Sequence, residues 1–149
     1  MDTTTAAATD APMTTPQTPA QTTPPPVELS QIGQIAINVR DVRRAVAFYR
    51  DTLGMRFLFQ APVGLAFFDC GGVRLMLGVP ERPEFAHPAS VLYYKVDDIN
   101  AAYEALKARN VSFIDEPHLI ARMPDHELWM VFFRDSEDNV LALMEERRG

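Results

Sequence analysis

One strand–helix pattern occurs twice in this chain, and that duplication restricts the folds open to it more than any other feature. In Gln34–Gly54, Ile35, Ile37 and Val39 alternate with Gln34, Ala36 and Asn38, the period-two signature of a strand with two unlike faces. Asp41 follows in the place of an N-cap carboxylate, and Val42, Ala45, Val46, Tyr49 and Leu53 recur at helical spacing. Gly54 then supplies the left-handed residue that ends a helix. The pattern returns from Val91. Leu92, Tyr94 and Val96 alternate, Asp98 takes the N-cap place, and Ile99, Ala102, Tyr103 and Leu106 form the stripe before Asn110 stops it. A repeat with caps and stripes in register predicts two related modules.

Strands complete each module. Module one, about 32–79, continues through strands near Met55–Gln60, Gly64–Cys70 and Val73–Gly78, the last two joined by a Gly71–Gly72 hairpin turn that supplies two positive φ angles. Pro80–Ala89, with three prolines and several charges, is the linker. Module two, about 90–146, adds strands at Ser112–Ile114, His118–Arg122, Glu127–Arg134 and Val140–Met144, with Asp135–Asn139 as its last hairpin turn. Glu145–Gly149 reads as a charged end with nothing to bury. Both modules lie within one domain, 28–149, behind a Thr-, Ala- and Pro-rich segment at 1–27 that reads as a disordered tail, because it carries almost no aliphatic surface to offset the entropy of ordering.

Composition narrows the function classes. A formal charge of −6 argues against nucleic acid or an anionic membrane as the main partner, and no stretch reaches the roughly 20 apolar residues of a membrane helix. The single cysteine, Cys70, permits no intrachain disulfide, and the start has neither the basic nor the apolar region of a secretory signal. A cytoplasmic location is the expectation.

At Asn38–Val42 before Ala45–Gly54, at Lys95–Ile99 before its helix, and at Phe132–Leu143 with its acidic turn, the sequence resembles the vicinal oxygen chelate superfamily. That group includes glyoxalase I, bleomycin-resistance proteins, extradiol dioxygenases and methylmalonyl-CoA epimerase. The resemblance covers about 32–145. It implies an α+β fold of two tandem βαβββ modules whose curved sheets form an open, barrel-like cleft, with helices outside and the ligand inside. By strand parity the cleft then receives Gln34, Ala36, Asn38, Arg74 and Met76 from module one. Module two contributes Val91, Tyr93, Lys95, Val140, Ala142 and Met144.

Metal-dependent members hold a divalent cation at four inward positions, which the resemblance puts at Gln34, Met76, Val91 and Ala142. Only Gln34 carries a donor that suits such a cation. No cofactor is therefore expected, and the reading is a protein that binds a small organic molecule in the inter-module cleft without the family's metal. Gln34, Asn38, Arg74, Met76, Tyr93, Trp129 and Ala142 are its candidate ligand residues. Parity leaves open which of Trp129 and Met130 faces inward. His118, His126 and Glu127, with Asp125, form the candidate acid–base group; the alternative is a solvated polar hairpin. Two further readings stay open: a metal-dependent lyase, isomerase or dioxygenase with unconventional ligands, and a non-enzymatic regulatory or interaction module. A homodimer also stays open. His87 reads as an exposed linker residue and Cys70 as an inert thiol.

Overall fold

The computed structural model describes residues 27–149 other than Val63. The expectation of a disordered tail at 1–27 lies, but for Val27, outside the described residues.

Both modules take the expected course. In module one, β1 (Gln34–Asn38) leads into α1 (Val42–Ala47), whose last turn widens to a π-helical segment, Phe48–Thr52. Then come β2 (Arg56–Ala61), β3 (Leu65–Cys70) and β4 (Val73–Gly78). After a short 3-10 turn at Pro83–Phe85, module two contains β5 (Leu92–Lys95), α2 (Ile99–Ala108), β6 (Ser112–Phe113), β7 (His118–Arg122), β8 (Glu127–Arg134) and β9 (Val140–Arg147). The caps are those read from the sequence. Asp41 accepts from the Arg44 N–H and Asp98 from the Ala101 N–H, while Gly54 and Asn110 stand at φ 73° and 66°. Gly71 and Gly72, at φ 60° and 92°, make the two-residue turn between β3 and β4.

Sheet one has the order β1-β4-β3-β2, with β1 parallel to β4. Sheet two repeats it as β5-β9-β8-β6, with β5 parallel to β9 and β7 also paired to β8. Thus β6 and β7 are two halves of one broken edge strand. At the break, the Asp115 carboxylate accepts from the Phe132 N–H and stands in for the missing ladder bond. Among the described residues no ladder joins the two sheets, so they flank an opening rather than close a barrel.

What joins the modules is a common core. Ile37, Leu75, Leu77 and Phe68 from sheet one, Val131, Phe133, Leu141 and Leu143 from sheet two, and stripe residues of both helices belong to one buried cluster. The alternation that buries these residues leaves the opposite face of each sheet open.

A buried carboxylate then pins module one to module two. Asp135, only 6% exposed, accepts from the Tyr49 hydroxyl at 2.7 Å, the Glu137 and Asn139 N–H groups at 2.8 and 2.9 Å, and the Asn139 side-chain amide at 3.0 Å. Tyr49, fully buried, sits in the π-helical turn, where Leu53 and Met55 donate to the Phe48 and Tyr49 carbonyls. Beside it the Glu137 side chain, 3% exposed, accepts from Arg40, Arg44 and the Asp41 N–H. Burial alone would raise the Glu137 carboxyl; those hydrogen bonds outweigh it and hold the pKa down to about 2.

The charged end read as having nothing to bury is corrected here. β9 runs on to Arg147, and Glu145 is buried because its carboxylate accepts from the Ile99 N–H, an orphan donor of the first turn of α2. Arg147 pairs with Glu145 and lies 4.4 Å from the Trp129 ring centroid.

Two outcomes are expected from the inter-module contacts. Tyr49→Phe leaves the buried Asp135 one donor short and should cost about 1–3 kcal/mol in urea denaturation with an unchanged m-value. Folding lowers the Glu137 pKa, so its stabilisation is complete above the ordinary glutamate range and is lost as pH falls from about 4.5 towards 2. Glu137→Gln should cost about 1–3 kcal/mol at pH 7 and flatten the stability profile across that acid window.

Candidate functional site

Strand register turns the open face of sheet one into three rows across its four strands. The first row reads Gln34, Arg74, Asp69, Arg56; the second Ala36, Met76, Phe67, Phe59; the third Asn38, Gly78, Leu65, Ala61. The first row is polar, the second apolar and aromatic, and the third small except for Leu65. Phe59 stacks on Phe67 with ring centroids 4.7 Å apart, and the Arg74 guanidinium lies 5.9 Å from the Phe67 centroid. A bulge at Leu58, between Phe57 and Phe59, lets Phe57 pack on the core while Phe59 faces outward at 51% exposure.

The third row opens into the main cavity of this region, about 420 Å³, lined on the sheet side by Ala36, Asn38, Leu65, Met76 and Gly78. Gly78 makes room for the Leu65 side chain, which packs over it so closely that a Cβ there would come within 2.6 Å. The linker supplies the other wall through Val79, Pro80, Glu81, Phe85, His87 and Ala89. Asn38 fastens that wall, its amide donating to the carbonyls of Phe85 at 2.5 Å and His87 at 2.9 Å.

The open face of sheet two follows the same arithmetic. Tyr93, Ala142 and Phe132 form one row, and Lys95, Met144, Met130 and His118 the next. Tyr93 meets Phe132 edge to face at 5.9 Å, and between them Ala142 is fully buried.

Most of the candidates are accounted for in these rows. Gln34, Asn38, Arg74 and Met76 lie on the open face of sheet one, and Tyr93 and Ala142 on that of sheet two. Trp129 lies on neither. It pairs with Glu145, packs against the core and gives its indole N–H to Glu127, so Met130 is the inward residue of the two. His118 and His126 are not brought together. His118, at the start of β7, places Nδ1 2.7 Å from the Glu116 carbonyl, while His126, past the other end, pairs Nδ1 with Asp125 at 2.8 Å. Asp125 is held in turn by Arg148, and these two hydrogen bonds keep its carboxyl down to about 2. Glu127 pairs with Arg122. Burial, with the Asp69 charge beside it, pushes the Cys70 thiol up, the reverse of what a nucleophilic thiolate needs.

Sequence reasoning missed Phe59, Phe67 and Gly78 as site residues. A signal for two of them was present: a two-residue Gly71–Gly72 turn fixes the β3–β4 register and so sets Phe67 opposite Met76 and Leu65 opposite Gly78.

Comparison with known proteins decides the family. The family model described as Glyoxalase/Bleomycin resistance protein/Dioxygenase superfamily matches residues 31–143. The chain belongs to this superfamily. A glyoxylase-like domain-containing protein from Didymella fabae is 29% identical over 127 residues, covering 76% of this chain and 91% of its relative. Among solved structures, a superfamily member from Sphaerobacter thermophilus superposes with a TM-score of 0.66 at 24% identity, over 79% of this chain and 98% of the other. A lactoylglutathione lyase from Agrobacterium tumefaciens gives 0.62 at 25%, over 81% and 95%.

The superfamily's divalent metal can be tested against the residues present. At the four positions assigned to it, the Gln34 amide donates to the Met76 sulfur at 3.7 Å, Met76 offers only a thioether, and Val91 and Ala142 have no donor atom. A hard or borderline cation asks for imidazole nitrogen or carboxylate oxygen, and these residues do not fit it. Among the described residues no three His, Cys, Asp or Glu side chains come together as a metal site.

Asn38 therefore carries a checkable role in shaping the cavity. Asn38→Ala should speed amide hydrogen exchange in Phe85–His87 about tenfold while leaving β3 and β4 unchanged, as read by mass spectrometry.

Proposed function

We propose that this superfamily member binds a small, partly apolar organic molecule on the open face of its sheets, without the metal centre that many relatives use. The carrying observation is the coincidence of an apolar cavity with a donor-poor set at the four metal positions. Ligand sites are concave and mostly apolar, with a few placed polar groups. The cavity beside Gly78 has that makeup, and Arg74, Gln34 and Tyr93 supply polar groups on the same faces.

His118 gives the reading a catalytic form. Its Nδ1 faces a carbonyl, which can only accept, so in the neutral ring Nδ1 carries the proton and Nε2 is left as the basic nitrogen. His118 shares a row with Met130 and Met144, which suits proton transfer without a Lewis acid. Strands β1 and β5 stand at the ends of their sheets and suit pairing with a second copy of the chain, so a homodimer belongs to the reading.

The test is a thermal-shift screen of small organic acids, amides and aromatic compounds, run in excess chelator and again in added Zn²⁺, Mn²⁺ and Mg²⁺. Hits that raise the Tm equally in chelator are expected, since any ligand of the folded state stabilises by mass action. Stabilisation that appears only with a metal ion would overturn the proposal.

A further inference from the structure

The row pattern of sheet one says which chemical class the face suits. We infer that it takes a flat, mostly apolar monocarboxylate, with the ring system on Phe67 and Phe59 and the carboxylate on Arg74. This rests on the ligand-binding reading above.

Three observations carry it. The Phe59–Phe67 pair is a stacked aromatic surface left half open, with Met76 beside it in the same row, while Phe57 and Phe68 of the same two strands are turned to the core. An aromatic pair so exposed gains most from a third flat partner, which prefers offset stacking. The second observation is charge. Arg74 sits at the edge of that surface and makes no ion pair within 4 Å among the described residues, although Asp69 is its cross-strand neighbour. Held over Phe67, the guanidinium presents its donor fork beside the ring, where a carboxylate attached to a stacked ring would meet it. The same row holds two arginines and one aspartate. That balance suits one negative charge, and Asp69 opposes the second charge of a phosphate monoester.

The third observation is space. Adjacent rows are two residues apart along a strand, about 7 Å. A ligand anchored at Arg74 therefore covers Phe67 in the next row, and its far end enters the cavity between the third row and the linker wall. The polar anchor, flat surface and apolar hollow lie in one line down β4 and β3.

The probes are 2-naphthoate and 2-naphthamide, equal in shape and different in charge, titrated calorimetrically into the full-length protein in chelator. The wild type should bind the carboxylate about tenfold more tightly than the amide, the range of a charge-assisted hydrogen bond. Arg74→Gln, at an exposed position, should abolish that preference by weakening the carboxylate about tenfold more than the amide. Phe59→Ala should weaken both probes about threefold, as loss of one stacking partner does. Equal affinities in the wild type, or a preference that survives Arg74→Gln, overturn the carboxylate assignment and leave the apolar ligand reading intact. Binding of neither probe at millimolar concentration, as when a second copy covers the face, overturns both.

Discussion

A carboxylate buried at the end of a hairpin holds this fold together. Asp135 uses all of its acceptor capacity on four donors, two from the backbone of its own turn, one from the Asn139 amide and one from the Tyr49 hydroxyl of the other module. Removing such a charge from water costs several kcal/mol, and only a full set of short hydrogen bonds offsets it. The requirement is mutual. The turn must close around the carboxylate, and the helix must widen by one residue just where Tyr49 reaches down. Burial raises the Tyr49 pKa and the Asp135 charge raises it further, so the phenol stays the donor and the carboxylate the acceptor. Glu137 repeats the arrangement at the rim with Arg40, Arg44 and the Asp41 N–H. The two modules thus keep one relation to each other, and the open faces of their sheets keep theirs.

That relation sets what the face can do. The core takes the helix-side residues of both sheets, so every strand offers its alternate residues to the opening. On sheet one those residues sort into a polar row, an apolar and aromatic row, and a row that is small except for Leu65. Shape and polarity are therefore in place before any ligand arrives, which lowers the ordering cost of binding. Lewis-acid chemistry at the four usual positions would need donors that Val91 and Ala142 do not possess. A carboxylate-binding face of this kind works by stacking, exclusion of water and one directed charge.

Much of this was legible in the sequence. Alternation in Gln34–Val39 and Leu92–Val96, the Asp41 and Asp98 caps and the Gly71–Gly72 turn foretold both modules, because each is local chemistry acting over a few residues. The places of Gln34, Arg74, Met76 and Tyr93 followed from parity. What escaped depends on contacts far apart in the chain. The burial of Asp135 requires Tyr49, and that of Glu145 requires the first turn of α2. Both acidic residues look like surface charge until their donors are known. Trp129 and Met130 could not be separated by parity because β8 has large apolar residues on both faces; pairing with Glu145 settles it. Phe59 was hidden by the bulge at Leu58, which shifts the alternation by one.

The central claim is that ligand meets the open face of sheet one without a metal. Methionine methyl NMR tests it most directly, because Met76 lies on that face while Met55 packs against the core on the helix side. Titrating 2-naphthoate in excess chelator should shift the Met76 resonance in proportion to occupancy and leave Met55 in place. A perturbation confined to Met55, or one that appears only after a divalent cation is added, would contradict the account.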